Sequence, residues 1–284
     1  SHAWYRLPEG GEWDGGGSEA KIYIDGAEIL HHSDGWHADS PFFWPPEGTL
    51  SFFSYAPADM PLAKDNGGSG VRVTQEGVRL DDWSVLDGSG RPRNIDFLVA
   101  DPVENITATD AAGGVPTLFR HTMTRIRVNI HDDQTEDSRI EIKGITLNDI
   151  YCTGSYASGL WGSTSTHSNL QNVSLTLPAG TIGSGLITDY VIMLPQNLLA
   201  VSDNENDDNN RPAPSLTIEY NNPDSPGDNK TTVEFADWPG STSYWTAGHD
   251  ITYTITFGEG DIPIGFDAGV EPWTGSGGIT VIGQ

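Results

Sequence analysis

The chain has 284 residues, of which 36% are hydrophobic and 10% aromatic, and this is enough for one large or two ordinary domains with buried cores. Its 14 Lys and Arg against 40 Asp and Glu give a net charge of -26, which argues against binding to nucleic acid or to anionic lipid surfaces. A single cysteine, Cys152, excludes an intrachain disulfide, and no apolar stretch is long enough to form a transmembrane segment.

The first quarter of the chain predicts short strands separated by turns. Residues 1–20 predict a Gly-rich lead-in, and residues 21–30 predict two strands around an Asp-Gly turn. The polar residues 31–40 predict a loop. The aromatic-rich residues 41–57 predict a hairpin, in which strands flank a Pro-Pro-Glu-Gly break.

Strand patterns continue through the middle of the chain. Residues 71–80 alternate about Gln-Glu-Gly, and residues 94–103 predict a buried strand. A short helix is predicted at 103–112. The clearest strand is 117–133, and residues 139–156 predict two more strands about Gly144.

The second half repeats this pattern. Its predicted strands are 173–180, 189–198, 215–222, 230–238, 249–258, 261–273 and 277–284. The chain is therefore predicted to be all-β, with two β-sandwich domains at 1–160 and 161–284.

Two polar clusters resemble metal sites but lack the required spacing. The first comprises His31, His32 and His37 beside Asp34 and Asp39. The second is a calcium-like run of Asp203, Glu205, Asp207 and Asp208, in which Asp208 and Pro214 occupy positions 6 and 12 of the EF-hand pattern. We expect solvated loops without a metal or other cofactor, and we expect Cys152 to be a buried apolar residue.

No catalytic motif is evident. The chain contains no Gly-X-Ser-X-Gly elbow, and no Gly-rich phosphate loop precedes a helix. With 40 carboxylates, a pair suited to glycoside hydrolysis could be chosen anywhere and carries no information. The chain is therefore predicted not to be an enzyme.

Three tryptophans lie in polar surroundings and are the candidates for exposed, ligand-facing aromatic residues, with core packing as the alternative. They are Trp36, Trp161 and Trp245. Exposed indoles can stack on sugars, so an extracellular carbohydrate-binding protein is the alternative function. Trp44 and Trp273 have apolar neighbours and are predicted to pack in a core.

An ordered set of segments resembles the fimbrillin-like proteins of Bacteroidetes, which are subunits of the type V pilus. The segments are FFWPPEGTLSFFSYAP (42–57), NIDFLVA (94–100), LFRHTMTRIRVNI (118–130), IKGITLNDIYCTGSY (142–156), YVIMLPQNL (190–198), ITYTITF (251–257) and IGFDAGVEPW (264–273). The resemblance implies two tandem transthyretin-like β-sandwich domains in a cell-surface adhesion or pilus subunit.

The resemblance also implies how such subunits mature and assemble. Members are exported to the outer membrane as lipoproteins and trimmed after an arginine, for which Arg6 is the candidate here. The signal and the lipid-bearing Cys are expected to lie outside this chain. Trimming removes a strand and leaves a groove, which a neighbouring subunit's strand fills. The implied partners are other pilus subunits or copies of this chain, and in addition a host glycan or protein.

The C-terminal segment GGITVIGQ (277–284) has the character of a donated strand. Ile279 and Val281 fall on one face, and Thr280 and Ile282 fall on the other. Strand addition pairs such a segment with an exposed sheet edge. The alternative is that the segment is simply the last strand of the second domain.

Overall fold

The computed structural model describes residues 1–13, 18–63, 68–132, 140–163, 170–177, 185–200, 211–222, 225–258, 262–273 and 278–281. Within these residues the regular structure is β-strand, apart from a 3₁₀ turn at Phe235–Asp237. The all-β prediction is therefore confirmed.

The strands range in length from two to eleven residues. They are β1 (His2–Arg6), β2 (Lys21–Ile24), β3 (Leu30–His32), β4 (Gly35–His37), β5 (Thr49–Phe53), β6 (Tyr55–Ala56), β7 (Gly70–Thr74), β8 (Gly77–Ser84), β9 (Leu98–Ala100), β10 (Val103–Ile106), β11 (Val115–His121), β12 (Thr124–Asp132), β13 (Glu141–Tyr151), β14 (Thr153–Ala157), β15 (Leu160–Ser163), β16 (Leu170–Ser174), β17 (Leu186–Ile187), β18 (Val191–Met193), β19 (Gln196–Asn197), β20 (Ser215–Asn222), β21 (Ser225–Glu234), β22 (Tyr244–Trp245), β23 (His249–Gly258), β24 (Ile262–Pro272) and β25 (Gly278–Val281).

Three sheets, which we call the first-half sheets, contain strands β1 to β11. The β1 sheet has the order β10-β5-β1-β2, and the β11 sheet has the order β3-β4-β25-β11-β9-β6. The β8 sheet, ordered β15-β14-β8-β7, joins a hairpin from the first half to strands near residue 160. The last strand of the chain, β25, therefore lies inside a sheet built otherwise from the first 121 residues.

Two further sheets, which we call the second-half sheets, contain most of the remaining strands. In the β12 sheet the order is β17-β12-β23-β24, and β18 also pairs with β12. In the β13 sheet the order is β16-β13-β20-β21, and β19 and β22 form a small separate pair. The predicted hairpin of 215–222 with 230–238 is confirmed as β20 and β21.

Strand β12 forms because its apolar residues alternate. Ile126, Val128 and Ile130 are 0% exposed, whereas the intervening Arg125 and Arg127 are half-buried. The strands that pair with β12 run in different directions. β17 and β18 are antiparallel to it, and β23 is parallel to it. The buried face of β12 joins a continuous apolar cluster, whose residues extend along the chain from Phe53 to Ala268.

Several local predictions are wrong, and one of them is the single strand 117–133, which is two strands, β11 and β12, in different sheets. The strands predicted within 21–30 do not pair with each other, because β2 joins β1 while β3 joins β4. Residues 41–48 form no strand, and the predicted helix at 103–112 is strand β10 followed by a turn. Residues 141–151 form one strand, since a register shift beside Gly144 bends it without ending it.

Strand pairing crosses the predicted boundary at residue 160. Strands β12 and β13 precede that residue, yet they pair with β23 and β20, which follow it. A cut at residue 160 would therefore separate strands of one sheet. The division into 1–160 and 161–284, and the tandem transthyretin-like topology, stay predictions.

No helix among the described residues is both long and apolar enough to cross a membrane.

Candidate functional site

The C-terminal strand β25 pairs with two strands from the first half of the chain. It runs antiparallel to β11, with Val115 opposite Val281 and Leu118 opposite Gly278. On its other side it runs parallel to β4, where Val281 lies opposite Trp36. Without β25, the backbone groups that β4 and β11 direct towards it would form two unpaired edges. We call the space between β4 and β11 the strand slot.

An apolar groove lies beside the strand slot, between the β1 sheet and the β11 sheet. It encloses a cavity of about 80 Å³. Its walls include Tyr23, Ile24, Trp44, Leu50, Phe52 and Val115. Phe42 and Phe43 also line it and are 39% and 71% exposed. The first-half sheets thus leave an apolar cavity next to a strand position, which is the arrangement that strand addition uses.

The hairpin of β3 and β4 places ionisable side chains at one side of the strand slot. The rings of His32 and His37 stack with their centroids 3.9 Å apart. His37 Nδ1 lies 3.0 Å from the Ala38 carbonyl oxygen, and its Nε2 lies 3.0 Å from Asp34 Oδ1. Both partners are acceptors, so the two contacts are hydrogen bonds together only when His37 is protonated.

The same contacts shift two pKa values in the hairpin. The backbone hydrogen bond to Ala38, followed by the one to Asp34, raises the pKa of His37 above its usual range. The hydrogen bond from His37 lowers the pKa of Asp34. The two groups therefore form an ion pair over a wider pH range than isolated side chains would.

The hairpin does not gather enough ligands for a metal site. In the part of the chain that the structure describes, no three His, Cys, Asp or Glu side chains form a group that could hold a metal ion. The calcium-like run at 203–208 lies outside the described residues. Cys152 is 0% exposed, as predicted, and burial raises the pKa of its thiol to about 12.

The predicted donor and processing residues lie at two different places. Ile279, Thr280 and Val281 belong to β25, whereas Ile282 lies outside the described residues. Arg6 is exposed and ends β1, which lies between β2 and β5. The structure therefore puts the two candidate regions in different sheets.

The three tryptophans proposed as ligand-facing candidates lie in β4, β15 and β22 of three different sheets. Trp245 is not ligand-facing, since it is 0% exposed and donates its Nε1–H to Tyr253 Oη at 2.9 Å. Trp161 is half-buried and donates to the Thr122 carbonyl oxygen at 2.7 Å. Trp36 is also half-buried, with its ring 5.1 Å from that of His31.

Sequence reasoning missed most of the strand slot. Strand β4 lies in the segment that was predicted to be a loop, because three His and two Asp mask the strand pattern. One signal was available: Ser33, Asp34 and Gly35 have the composition of a turn, with the apolar residues Leu30 and Trp36 on its two sides, and this pattern favours a short hairpin. Pairing of β11 with the far C-terminus had no local signal, since register between distant strands depends on topology.

The sequence model of the fimbrillin-like family matches residues 13–273 of this chain. Among curated proteins, no sequence matches this chain closely enough to count as a relative.

Two solved structures share the fold. A fimbrial protein from Bacteroides vulgatus aligns with a TM-score of 0.60 at 16% identity, covering 96% of this chain and 92% of that one. A candidate cell adhesion protein from Bacteroides uniformis aligns with a TM-score of 0.54 at 18% identity, covering 96% of this chain and 91% of that one. At these identities the likeness concerns the fold alone.

Proposed function

The chain belongs to the fimbrillin-like family, and from this premise we propose that it is a pilus subunit that joins other subunits by donating its C-terminal strand. The family resemblance recognised in the sequence is confirmed over residues 13–273. Membership in this family supports a structural role at the cell surface, in association with other fimbrial subunits, rather than an enzymatic one.

One observation carries the proposal: β25 lies in the strand slot of the first-half sheets, not in a sheet of the second half. Every copy of the chain has the same slot and the same strand. The contacts that β25 makes within its own chain can therefore form between copies, as happens in domain swapping. In such an exchange, the β25 of one copy takes the place of the β25 of another, and the strand makes the same contacts with β4 and β11 as before.

The groove supplies the second part of the argument. Backbone pairing would hold any extended segment, but pockets for alternate side chains select a particular one. The apolar walls beside the slot favour a donor with apolar residues at alternate positions, such as Ile279 and Val281. We propose Ile279, Thr280, Val281 and Ile282 as the donor residues.

Arg6 is the proposed processing residue. It is exposed at the end of β1, so a protease that cleaves after arginine would find it accessible. Loss of β1 would leave β2 and β5 without their common partner. Trimming at Arg6 would therefore open the β1 sheet next to the aromatic-lined groove.

Removal of β25 tests strand donation. A chain lacking residues 278–284 should have an empty slot and no donor, so it should remain monomeric under conditions in which the full chain associates. A chain lacking only 282–284 keeps β25 and is the matched control, and it should associate more strongly than the longer deletion. Sedimentation and light scattering measure the association.

Equal association of the full chain and of the chain without 278–284 would contradict strand donation by this segment. Circular dichroism of the shortened chain should retain the all-β spectrum, which shows that the loss of association is not due to unfolding.

A further inference from the structure

Trp273 contacts two side chains, His121 and Arg125, just after the end of strand β24. Its ring stacks on His121 with centroids 4.1 Å apart and an angle of 10° between the planes. The Arg125 guanidinium lies 4.8 Å from the Trp273 ring centroid. Flat ring stacking and a guanidinium over an indole are both favourable contacts. We call His121, Trp273 and Arg125 the Trp273 stack.

Both flanking groups are themselves anchored. His121 Nδ1 lies 2.6 Å from Asp96 Oδ2, and the Arg125 guanidinium donates a hydrogen bond from Nη2 to Asp250 Oδ2. The Arg125 guanidinium also lies 4.0 Å from the ring centroid of Tyr190. The Trp273 stack is therefore a fixed point rather than a surface contact between mobile side chains.

The backbone holds Trp273 at the same place. Its N–H donates to the Gly248 carbonyl oxygen at 2.6 Å, and the Gly248 N–H donates to the Met123 carbonyl oxygen at 2.8 Å. Gly248 has φ of 72°, and a Cβ there would lie 3.5 Å from the His121 carbonyl oxygen. Strand β24 ends one residue earlier at Pro272, which lies opposite His249.

The stack and the C-terminal strand use the same strand of the first half, β11. Trp273 contacts its last residue, His121, and β25 pairs with its first four residues, Val115–Leu118. Four residues, 274–277, separate Trp273 from β25, so the chain from Trp273 to Gly278 can reach at most about 18 Å.

From this geometry we propose that Trp273 is a positioning residue for the C-terminal strand. The Trp273 stack fixes the point from which the strand leaves the second-half sheets, and the short connection limits the registers in which it can enter a slot. Register matters because a shift of one residue moves every side chain to the opposite face. This inference rests on the proposed strand donation and adds the residue that controls it.

Competition with a free strand tests the proposal. A fluorescent peptide of residues 277–284 is titrated against the full chain and against a chain ending at 276, each with and without Trp273→Leu. In the full chain the Trp273 stack holds the start of the connection to β25 in place. The internal strand therefore has a high effective concentration at the strand slot, and the peptide should bind weakly. Trp273→Leu should then raise the apparent affinity of the full chain for the peptide by about tenfold or more.

Three further results separate positioning from a general structural role. Trp273→Phe keeps a stacking ring and should restore weak peptide binding. Four Gly-Ser residues inserted after residue 275 leave the Trp273 stack intact but lengthen the connection, and they should act like Trp273→Leu. In the chain ending at 276, Trp273→Leu should leave the peptide affinity unchanged, because no internal strand competes there.

Equal peptide affinities of the full chain with Trp273, with Trp273→Leu and with the insertion would overturn the positioning role while leaving strand donation in place. Failure of the peptide to bind the chain ending at 276 would overturn the strand slot itself, and both proposals with it.

Discussion

Trp245 and Trp36 have the same side chain in similarly polar sequence, yet the fold treats them differently. Trp245 packs edge-on against Phe235 with ring centroids 5.2 Å apart, and its indole N–H is bonded to Tyr253. Burial raises the pKa of Tyr253 to about 12, so this hydroxyl stays neutral. The composition of the local sequence therefore indicates little about the exposure of a tryptophan when residues from other parts of the chain pack over it.

Replacement of Trp245 by Ala should be strongly destabilising. The substitution removes a fully buried indole, leaves a cavity and removes the hydrogen bond that the indole donates to Tyr253, which together cost about 3–5 kcal/mol. Trp36→Ala is the matched control, since Trp36 is half-buried and should cost less. Urea unfolding followed by circular dichroism gives both free energies, and a loss below about 1 kcal/mol for Trp245→Ala would contradict the burial seen here.

At the scale of elements, the β3–β4 hairpin is stabilised both by strand pairing and by an ion pair. Its two stacked imidazoles lie on a hairpin whose second strand, within the described residues, pairs with β25 at one position, where Trp36 lies opposite Val281. A hairpin with so little pairing on its inner side depends on its own contacts for order, and the ion pair of His37 with Asp34 is one of them.

The hairpin should respond to pH in a defined direction. Because the pKa of folded His37 is raised, its contacts stabilise the hairpin fully below the unfolded value of about 6.5. That contribution is lost as the pH rises through the higher folded value. Titration of the His37 ring by NMR should show this raised pKa, and Asp34→Asn should lower it.

Asp39→Asn is the control for this titration. Asp39 lies 3.5 Å from His32 Nε2 and acts on His37 only through charge, so its removal should lower the pKa of His37 by less. Identical His37 titration curves before and after Asp34→Asn would show that the contact is not made in solution.

The sequence predicted elements with a strong alternation and failed where polar residues or distant pairing decided the structure. The alternation of Ile126, Val128 and Ile130 marked β12, but the predicted single strand 117–133 is two strands, β11 and β12, in different sheets. The segment 277–284 was correctly predicted to contain a strand. Strand β1 was missed, because HAWYR stands in a Gly-rich stretch. The parallel pairing of β12 with β23 was not predictable, since neither strand carries a signal that selects the other.

For the whole molecule, the strands that cross residue 160 make the two halves depend on each other. The buried cluster that contains β12 also contains Tyr253 and Ile255 of β23. Separation at that point would leave long apolar strands without partners on both fragments.

Expression of 1–160 and 161–284 as separate chains tests this dependence. We expect neither fragment alone to show a cooperative thermal transition, whereas the intact chain should, because β12 loses β23 and β13 loses β20. Independent cooperative unfolding of 161–284 would instead support a domain division at residue 160.

Strand β25 has a hydrogen-bonded neighbour on each side, and this has a mechanical consequence for any fibre joined through it. Tension along a donated strand acts parallel to the strand, so the ladder bonds to β11 are loaded together in shear instead of being unzipped one at a time. A joint of this kind resists pulling far better than the modest length of four residues suggests.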